Sequence, residues 1–427
     1  MPIIRPFRGY RYNPKKVNIH DVVAPPYDVI SPEQQTALYE KSPYNVVRLI
    51  LGREEDRYSS AAGFLKKWIS ENVLIRERES ALYLLHQQFD DHSGKAVVRK
   101  GFIALCRLEE FEKKIVLPHE KTLSKPKEDR FKLFQATNAN FSQIFSLYTD
   151  VEKEIDRILN GTEKSEPLIE VLFEDVHNRL WRITEKSVIT RVQEAIKDKQ
   201  VLIADGHHRY ETALAYRDLM RSRNPRHTGD ELYNFVMMFF TNIEDEGLII
   251  YPTHRLVHSL PSFDPKEFLR RVEDLFIIRD FREKEDMVIA LQSSPVSSFG
   301  VALQGEMFFY LLTIKPSVDL ASVLPSETPP EIRKLDVTLL HSLLLDKVLG
   351  ISPAAQEQKT SLDYVRKAEE AFAAVDARRA QLAFIMNPTR IEQVRQVARA
   401  GHTMPQKSTY FYPKLVSGLV INKMDED

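Results

Sequence analysis

The sequence predicts a mixed fold, α/β or α+β, and three observations predict it. Segments with strand alternation and segments with helical spacing interleave along the whole chain. At roughly 150 residues per domain, 427 residues make two or three domains. Hydrophobic residues are 43% and charged residues 28%, a balance that buries a core and excludes a largely disordered chain.

The first 30 residues are rich in Pro, Tyr and basic side chains and read as irregular. Ser31-Pro32-Glu33-Gln34 reads as a helix start. Ser31 suits the N-cap, Pro32 the first helical position, and Gln34 completes a capping box. Residues 45–51 (NVVRLIL) read as a strand. Over 58–72, Ala61, Phe64, Leu65, Trp68 and Ile69 fall at helical spacing. Residues 81–89 and 97–108 read as strands around the polar turn Asp90-Asp91-His92-Ser93-Gly94. The polar stretch 117–140 begins as loop and ends as helix. Strand, helix and strand patterns follow to Arg182, then an amphipathic helix at 188–197, a buried-type strand at 201–204 and a helix at 208–221.

The texture changes after Tyr251, and a boundary near 260 divides a core (1–260) from an α+β C-terminal region (261–427). There 268–276 is helical, and 299–303 and 307–314 flank Gly305 like a hairpin. Helical stretches follow at 336–349 and 364–375, then strand 381–386, helix 391–400 and an aromatic strand around Tyr410 to Tyr412. There is no internal repeat or low-complexity segment.

Composition excludes several functions. Lys and Arg total 60, Asp and Glu 61, for a formal net charge of −1, so no global field draws the chain to nucleic acid or an anionic membrane. One cysteine, Cys106, allows neither an internal disulfide nor a cysteine-based zinc site, and its apolar surroundings make it a core residue. The longest apolar runs, such as 235–240, fall far short of the ~20 residues of a membrane helix. The opening MPIIRPFRGYRYNP lacks an apolar signal core, and a cytoplasmic location is expected. Glycine numbers only 14, with no G-x-G-x-x-G and no G-x-x-x-x-G-K-[ST], which argues against a Rossmann dehydrogenase or a P-loop enzyme.

The most informative stretch is VLIADGHHRYETALAYRD, residues 201–218. A buried strand ends, the turn Asp205-Gly206-His207-His208 carries one glycine, and a helix begins with Arg209 in its first turn. Strand, tight turn and helix start together aim backbone N–H groups at an anion. Gly206 lets a ligand approach the backbone, and His207, His208 and Arg209 add donors. Other readings stay open: Asp205 as a plain N-cap, Arg209 as an ion-pair partner, or a metal site at Asp205, His207 and His208. Adjacent histidines diverge, so the metal reading is disfavoured and no protein-only metal site is expected. Magnesium arriving with a nucleotide suits the pattern better.

Ala204-Asp205-Gly206-His207-His208-Arg209-Tyr210 resembles the phosphate-binding loop of the ParB/sulfiredoxin superfamily. Archaeal free serine kinases, which share that fold, carry a D-G-H-H-R loop that Asp205 to Arg209 match. The whole chain also resembles a prokaryotic family known as domain of unknown function 1015, through APPYDVI (24–30), PHEKT (118–122), DGHHRY (205–210), PTHR (252–255) and KSTYFYPK (407–414). The resemblance implies a ParB/sulfiredoxin-like nucleotide-binding core whose loop holds phosphates. Sulfiredoxin chemistry needs a loop cysteine where this chain has His207, so that activity is rejected. ParB-like DNA clamping is disfavoured by the balanced charge and the lack of a helix-turn-helix.

Further candidates lie in 118–130. His119 or Glu120 suits a general base, and Lys121 or Arg130 suits neutralising phosphate, against the alternative of a solvated charged loop. Asp28, after a Pro-Pro turn, is a third candidate base. His254, Arg255, Lys407 and Lys414 are weaker candidates. By resemblance, the leading expectation is a nucleotide-dependent phosphotransferase acting on a small metabolite, with free serine favoured, using ATP or ADP with magnesium. Catalysis would fall to Glu120, His119 or Asp28; nucleotide binding to Asp205, Gly206, His207, His208, Arg209, Lys121 and Arg130. The alternatives are a non-catalytic nucleotide-binding regulator and a small-molecule phosphatase. Expected partners are a nucleotide and a small substrate, with neither nucleic acid nor membrane; the oligomeric state is open.

Overall fold

The computed structural model describes residues 1–120 and 124–424. Among these, residues 1–118, 124–249 and 411–424 form one compact unit, and 119–120 and 250–410 form a second. No helix among the described residues is long and apolar enough to cross a membrane.

The first unit is built on a mixed sheet. Its strand order is Val116–Leu117, Val201–Asp205, Ile144–Tyr148, Phe235–Asn242, Ala96–Arg107, Leu82–Asp90, Val176–Ile183 and Ile169–Phe173, with Ile4–Arg5 also pairing with Ala96–Arg107. Phe235–Asn242 (FVMMFFTN) is buried throughout, as an apolar run in a sheet covered on both faces must be. It runs parallel to Ile144–Tyr148 and antiparallel to Ala96–Arg107. The expected hairpin forms, in register from Tyr83↔Ile103 to Asp90↔Ala96. Its turn is held by Asp91, whose Oδ1 accepts from Ser93 N at 2.8 Å and Lys95 N at 3.0 Å. Phe102 and Phe240 stack in the core with centroids 5.1 Å apart. Cys106 belongs to that core, and burial pushes its thiol up to about 12. Helix Lys186–Ile196 covers it with Val188, Ile189, Val192 and Ile196.

A separate apolar cluster joins Trp68, Leu65 and Ala61 of helix Arg57–Ser70 to Val46, Val47, Leu49 and Ile50. Here the sequence reading needs correction, because 45–51 is not a strand. Val47–Ile50 is a short helix. Asn45, fully buried, turns the chain: its Oδ1 accepts from Val47 N at 2.9 Å and its Nδ2 donates to Asp21 O at 2.8 Å and Val23 O at 3.1 Å. A short apolar run has no period to separate buried strand from buried helix. Helix Pro32–Lys41 starts as expected, with Ser31 Oγ accepting from Gln34 N at 3.1 Å. The other half of the capping box does not form in this geometry; the Gln34 amide donates to Glu174 at 2.8 Å instead.

The second unit has a six-stranded antiparallel sheet, ordered Phe276–Phe281, Phe309–Ile314, Ser298–Leu303, Leu382–Ile385, His254–Val257 and Leu362–Val365. Apolar clusters cover both faces. The expected hairpin about Gly305 and the strand and helix near the end form at Ser298–Leu303 with Phe309–Ile314, Leu382–Ile385 and Ile391–Arg399. Residues 364–375 are not one helix: Leu362–Val365 pairs with His254–Val257 before helix Ala368–Asp376 begins. The helix expected at 336–349 opens as Asp336–Leu339 and continues as a π-helix over Leu340–Val348.

Candidate functional site

Strand Val201–Asp205 lies inside the first unit's sheet and delivers the chain to its edge at Asp205. Gly206 then adopts φ +94°, and helix His207–Arg223 begins, with its first bond from Tyr210 N to Gly206 O at 3.0 Å. A Cβ at Gly206 would lie 2.9 Å from Arg209 Nε, so only glycine fits the turn without strain. Gly206 brings no side chain to cap the helix, whose start carries the positive end of the helix dipole. His207 is buried and His208 half-buried.

Two cations pair with Asp205, and a third, Arg99, lies in its field. Arg209 Nη2 lies 3.3 Å from its Oδ2, and Lys414 Nζ 3.4 Å from its Oδ1. Arg99 acts on it through space. Arg209 is buried, and its Nη1 donates to Gln143 O. Arg99 is fully buried: Nη2 donates to Gln87 Oε1 and to Pro413 O, while Nε and Nη1 have no hydrogen-bond partner among the described residues. Its guanidinium lies 4.4 Å from the Phe145 ring centroid. Burial draws Arg99 down to about 9 and pushes Asp245, also near it, up to about 6. Asn178, Gln87 and Arg99 are paired in register across three adjacent strands, forming a buried polar row. The sequence reading missed Arg99. Its signal was available, since in AVVRKGF a charged residue occupies an inward strand position between Val97 and Gly101.

Arg130 is buried on helix Ser124–Thr137. Its Nη1 donates to Ile50 O at 2.7 Å, its Nε to Asp129 Oδ2 at 2.8 Å, and its guanidinium lies 3.9 Å from the Tyr27 ring centroid. Burial pushes Tyr27 up to about 12 against the pull of Arg130. Asp28 is exposed in the same turn, Tyr27–Val29. Tyr27, Arg130, Asn140, Ser142 and Arg209 all stand in the wall of one small cleft. The first unit therefore brings together the Asp205–Arg209 loop, Arg130 and the turn that carries Asp28.

His119 and Glu120 group with the second unit. His119 is buried, its Nε2 2.9 Å from Thr409 Oγ1 and its carbonyl accepting from Met404 N at 2.7 Å. Glu120 Oε1 accepts from Lys407 N at 2.9 Å. Lys121 lies outside the described residues. His254 Nδ1 accepts from Met386 N at 3.1 Å, and Arg255 is buried with Nη2 donating to Lys407 O at 3.0 Å.

A family model described as "Protein of unknown function (DUF1015)" matches residues 4–338. The chain belongs to this family. No curated protein matches it. Among solved structures, a conserved hypothetical protein from Pyrococcus furiosus is 13% identical, over 73% of this chain and 92% of that one, with a TM-score of 0.35. A free serine kinase variant in complex with ADP is 12% identical, over 73% and 89%, with a TM-score of 0.37. SbnI from Staphylococcus aureus, truncated at its C-terminus, is 11% identical, over 76% and 90%, with a TM-score of 0.35. Likenesses this loose say nothing of what this family member binds.

Proposed function

We propose that this chain is a nucleotide-dependent phosphotransferase acting on a small hydroxyl-bearing metabolite. One observation carries the reading. Arg209 and Lys414 pair with the carboxylate of Asp205, and buried Arg99 feels both Asp205 and Asp245, at a helix start to which Gly206 brings no capping side chain. Three largely buried cations against the carboxylates of Asp205 and Asp245 leave positive charge that suits an anionic ligand, and a nucleotide's phosphates would supply it. In this reading Asp205 to Arg209 form the ParB/sulfiredoxin-like loop that their letters resemble, with Arg130 in reserve for the transferred group. Among the described residues no group of three or more His, Cys, Asp or Glu is set to hold a metal ion. Magnesium would be carried chiefly by phosphate oxygens and water.

Phosphoryl transfer asks the protein for positioning and charge neutralisation. ATP or ADP supplies the phosphoryl group. A carboxylate or imidazole would take the proton of the acceptor hydroxyl. Asp28, in the turn beside Arg130's aromatic partner Tyr27, is the base this arrangement favours; Glu120 and His119, the other bases the sequence offers, group with the second unit. Free serine is the first acceptor to try, on the resemblance of the loop.

The test is thermal stability with ATP and ADP, with and without magnesium, followed by a transfer assay. A bound nucleotide at a hundred-fold excess over its dissociation constant should raise Tm by roughly 5–10 °C. Lys414→Met and Arg209→Ala should abolish the response. Asp28→Asn should keep binding and lose turnover. Absence of any nucleotide response sinks the reading. Binding without transfer to any acceptor points to the regulator, and release of phosphate from phosphoserine without nucleotide points to the phosphatase.

A further inference from the structure

The mixed sheet of the first unit ends at Ile169–Phe173, which pairs with Val176–Ile183 alone among the described strands. Val171 is fully buried, while Glu170 and Leu172 are exposed, Leu172 by 57%. Phe173 and Val176 close a two-residue turn, Glu174-Asp175, whose φ angles are +47° and +63°. In such a hairpin the closing pair exchanges both backbone bonds, and bonded pairs alternate along the ladder. Val171 and Ile169 therefore bond inward, and the N–H and C=O groups of Glu170 and Leu172 face outward along the edge. An outward row of this kind is a template for another strand. Sheets blunt their edges with lysine, proline or a bulge, and IEVLF has none of these.

A groove of about 600 Å³ lies beside the start of this strand, lined by Leu168 to Glu170 and by Pro14 to Ile19 with Arg11 and Tyr12. Its size is that of ligand-bearing clefts, roughly 300–1,000 Å³. The segment facing the strand is firmly held. Asn13 and Pro14 suit the first two positions of a type I turn, and Lys16 N donates to Asn13 O at 2.9 Å. Asn13 is itself tied down, its N donating to Val73 O at 2.9 Å and its Nδ2 to Asn72 O at 3.0 Å. The turn sets Lys15 and Lys16, both exposed, in the wall of the groove.

Charge decides what fits. Arg11, Lys15 and Lys16 stand in the wall against one acid, Glu170. That carboxylate is already met by Arg179 Nε at 2.9 Å and His177 Nε2 at 3.1 Å. Arg11 shares the buried Glu77 with Arg182. Among the described residues Lys15 and Lys16 form no ion pair. The groove therefore carries surplus positive charge beside an open strand edge.

We propose that the edge strand Ile169–Phe173 and the groove beside it dock an extended acidic segment of a partner protein. The segment adds to the sheet through the outward backbone groups of Glu170 and Leu172 and sets Asp or Glu side chains against Lys15 and Lys16. The groove shares no lining residue with the cleft of Arg130 and Arg209, and this docking stands whether or not the chain transfers phosphate.

The probe is a fluorescent, end-capped peptide, EVEVEVEV, titrated with the full chain and read by anisotropy. At ~3.3 Å per residue it outreaches the edge strand. The controls are KVKVKVKV, the acidic peptide with every backbone amide N-methylated, and free glutamate as competitor. EVEVEVEV should bind to saturation and KVKVKVKV should not. N-methylation, the double change Lys15→Glu with Lys16→Glu, and Leu172→Pro should each weaken binding by about tenfold or more. Leu172→Pro removes an outward N–H and no ladder bond, a change that edge strands tolerate. No binding of EVEVEVEV, equal binding of KVKVKVKV or of the N-methylated peptide, or undiminished binding to the double lysine variant each overturns the proposal. Complete displacement by glutamate at matched carboxylate concentration would make this a small-anion site and overturn it too. A concentration-dependent dimer that Leu172→Pro dissolves would assign the edge to a second copy of the chain instead. Should Leu172→Pro fail to fold, the N-methylated peptide on the wild type still decides whether backbone bonds carry the docking.

Discussion

Gly206 holds φ +94°, and a side chain there would meet the Arg209 guanidinium within 3.0 Å. Gly206→Ala should therefore cost roughly 1–3 kcal/mol, measured by chemical denaturation, and should weaken any nucleotide response as well. Asp245 gives a prediction in pH. Burial raises its carboxyl to about 6 from an ordinary value near 3.8. Between those values the unfolded chain has released its proton and the folded one has not, so stability falls as pH rises through the window. Asp245→Asn should flatten that slope and raise stability at pH 7 by about 1–3 kcal/mol. A slope between pH 4 and 6 identical in wild type and variant would remove Asp245 as its source. The loop residues were legible because glycine, histidine and arginine carry their chemistry in their letters. Arg99 showed in the sequence only as a charge at an inward strand position; that two of its guanidinium nitrogens lack hydrogen-bond partners among the described residues is a fact of the tertiary structure.

Element identity followed the sequence in several long periodic segments of the first unit. The hairpin Leu82–Asp90 with Ala96–Arg107 and helix Arg57–Ser70 are such cases. The run 45–51 is the counter-example, for its apolar residues are buried on every side and Asn45 alone sets the turn. Asn45→Ala would strand Asp21 O, Val23 O and Val47 N inside the protein. A loss of about 2–3 kcal/mol is expected on unfolding. A loss below ~0.5 kcal/mol would mean that neighbouring groups or water replace the amide. Strand Leu362–Val365 was hidden for a different reason, since what makes it a strand is its partner His254–Val257, far away in sequence.

At the scale of the whole molecule, the last residues of the chain complete the first unit. Pro413 O accepts from Arg99 at 2.6 Å, Lys414 reaches Asp205, Phe411 packs on Phe145 with centroids 5.6 Å apart, and Asn422 bonds Asn140. Truncation after Tyr410 should raise amide exchange in the strands around Arg99 and Asp205 and leave the second unit's sheet protected. Equal loss of protection in both sheets would show that the two cores unfold together. The sequence by itself determined the mixed α/β class, most elements, the core position of Cys106 and the Asp205–Arg209 turn, because these depend on period, burial preference and glycine's freedom of φ. Only the tertiary structure decided that Arg209 and Lys414 meet on Asp205 and that Asn140, Arg130 and Arg209 share one cleft. Those residues lie far apart along the chain, and charge convergence and an unanswered donor are properties of space rather than of order.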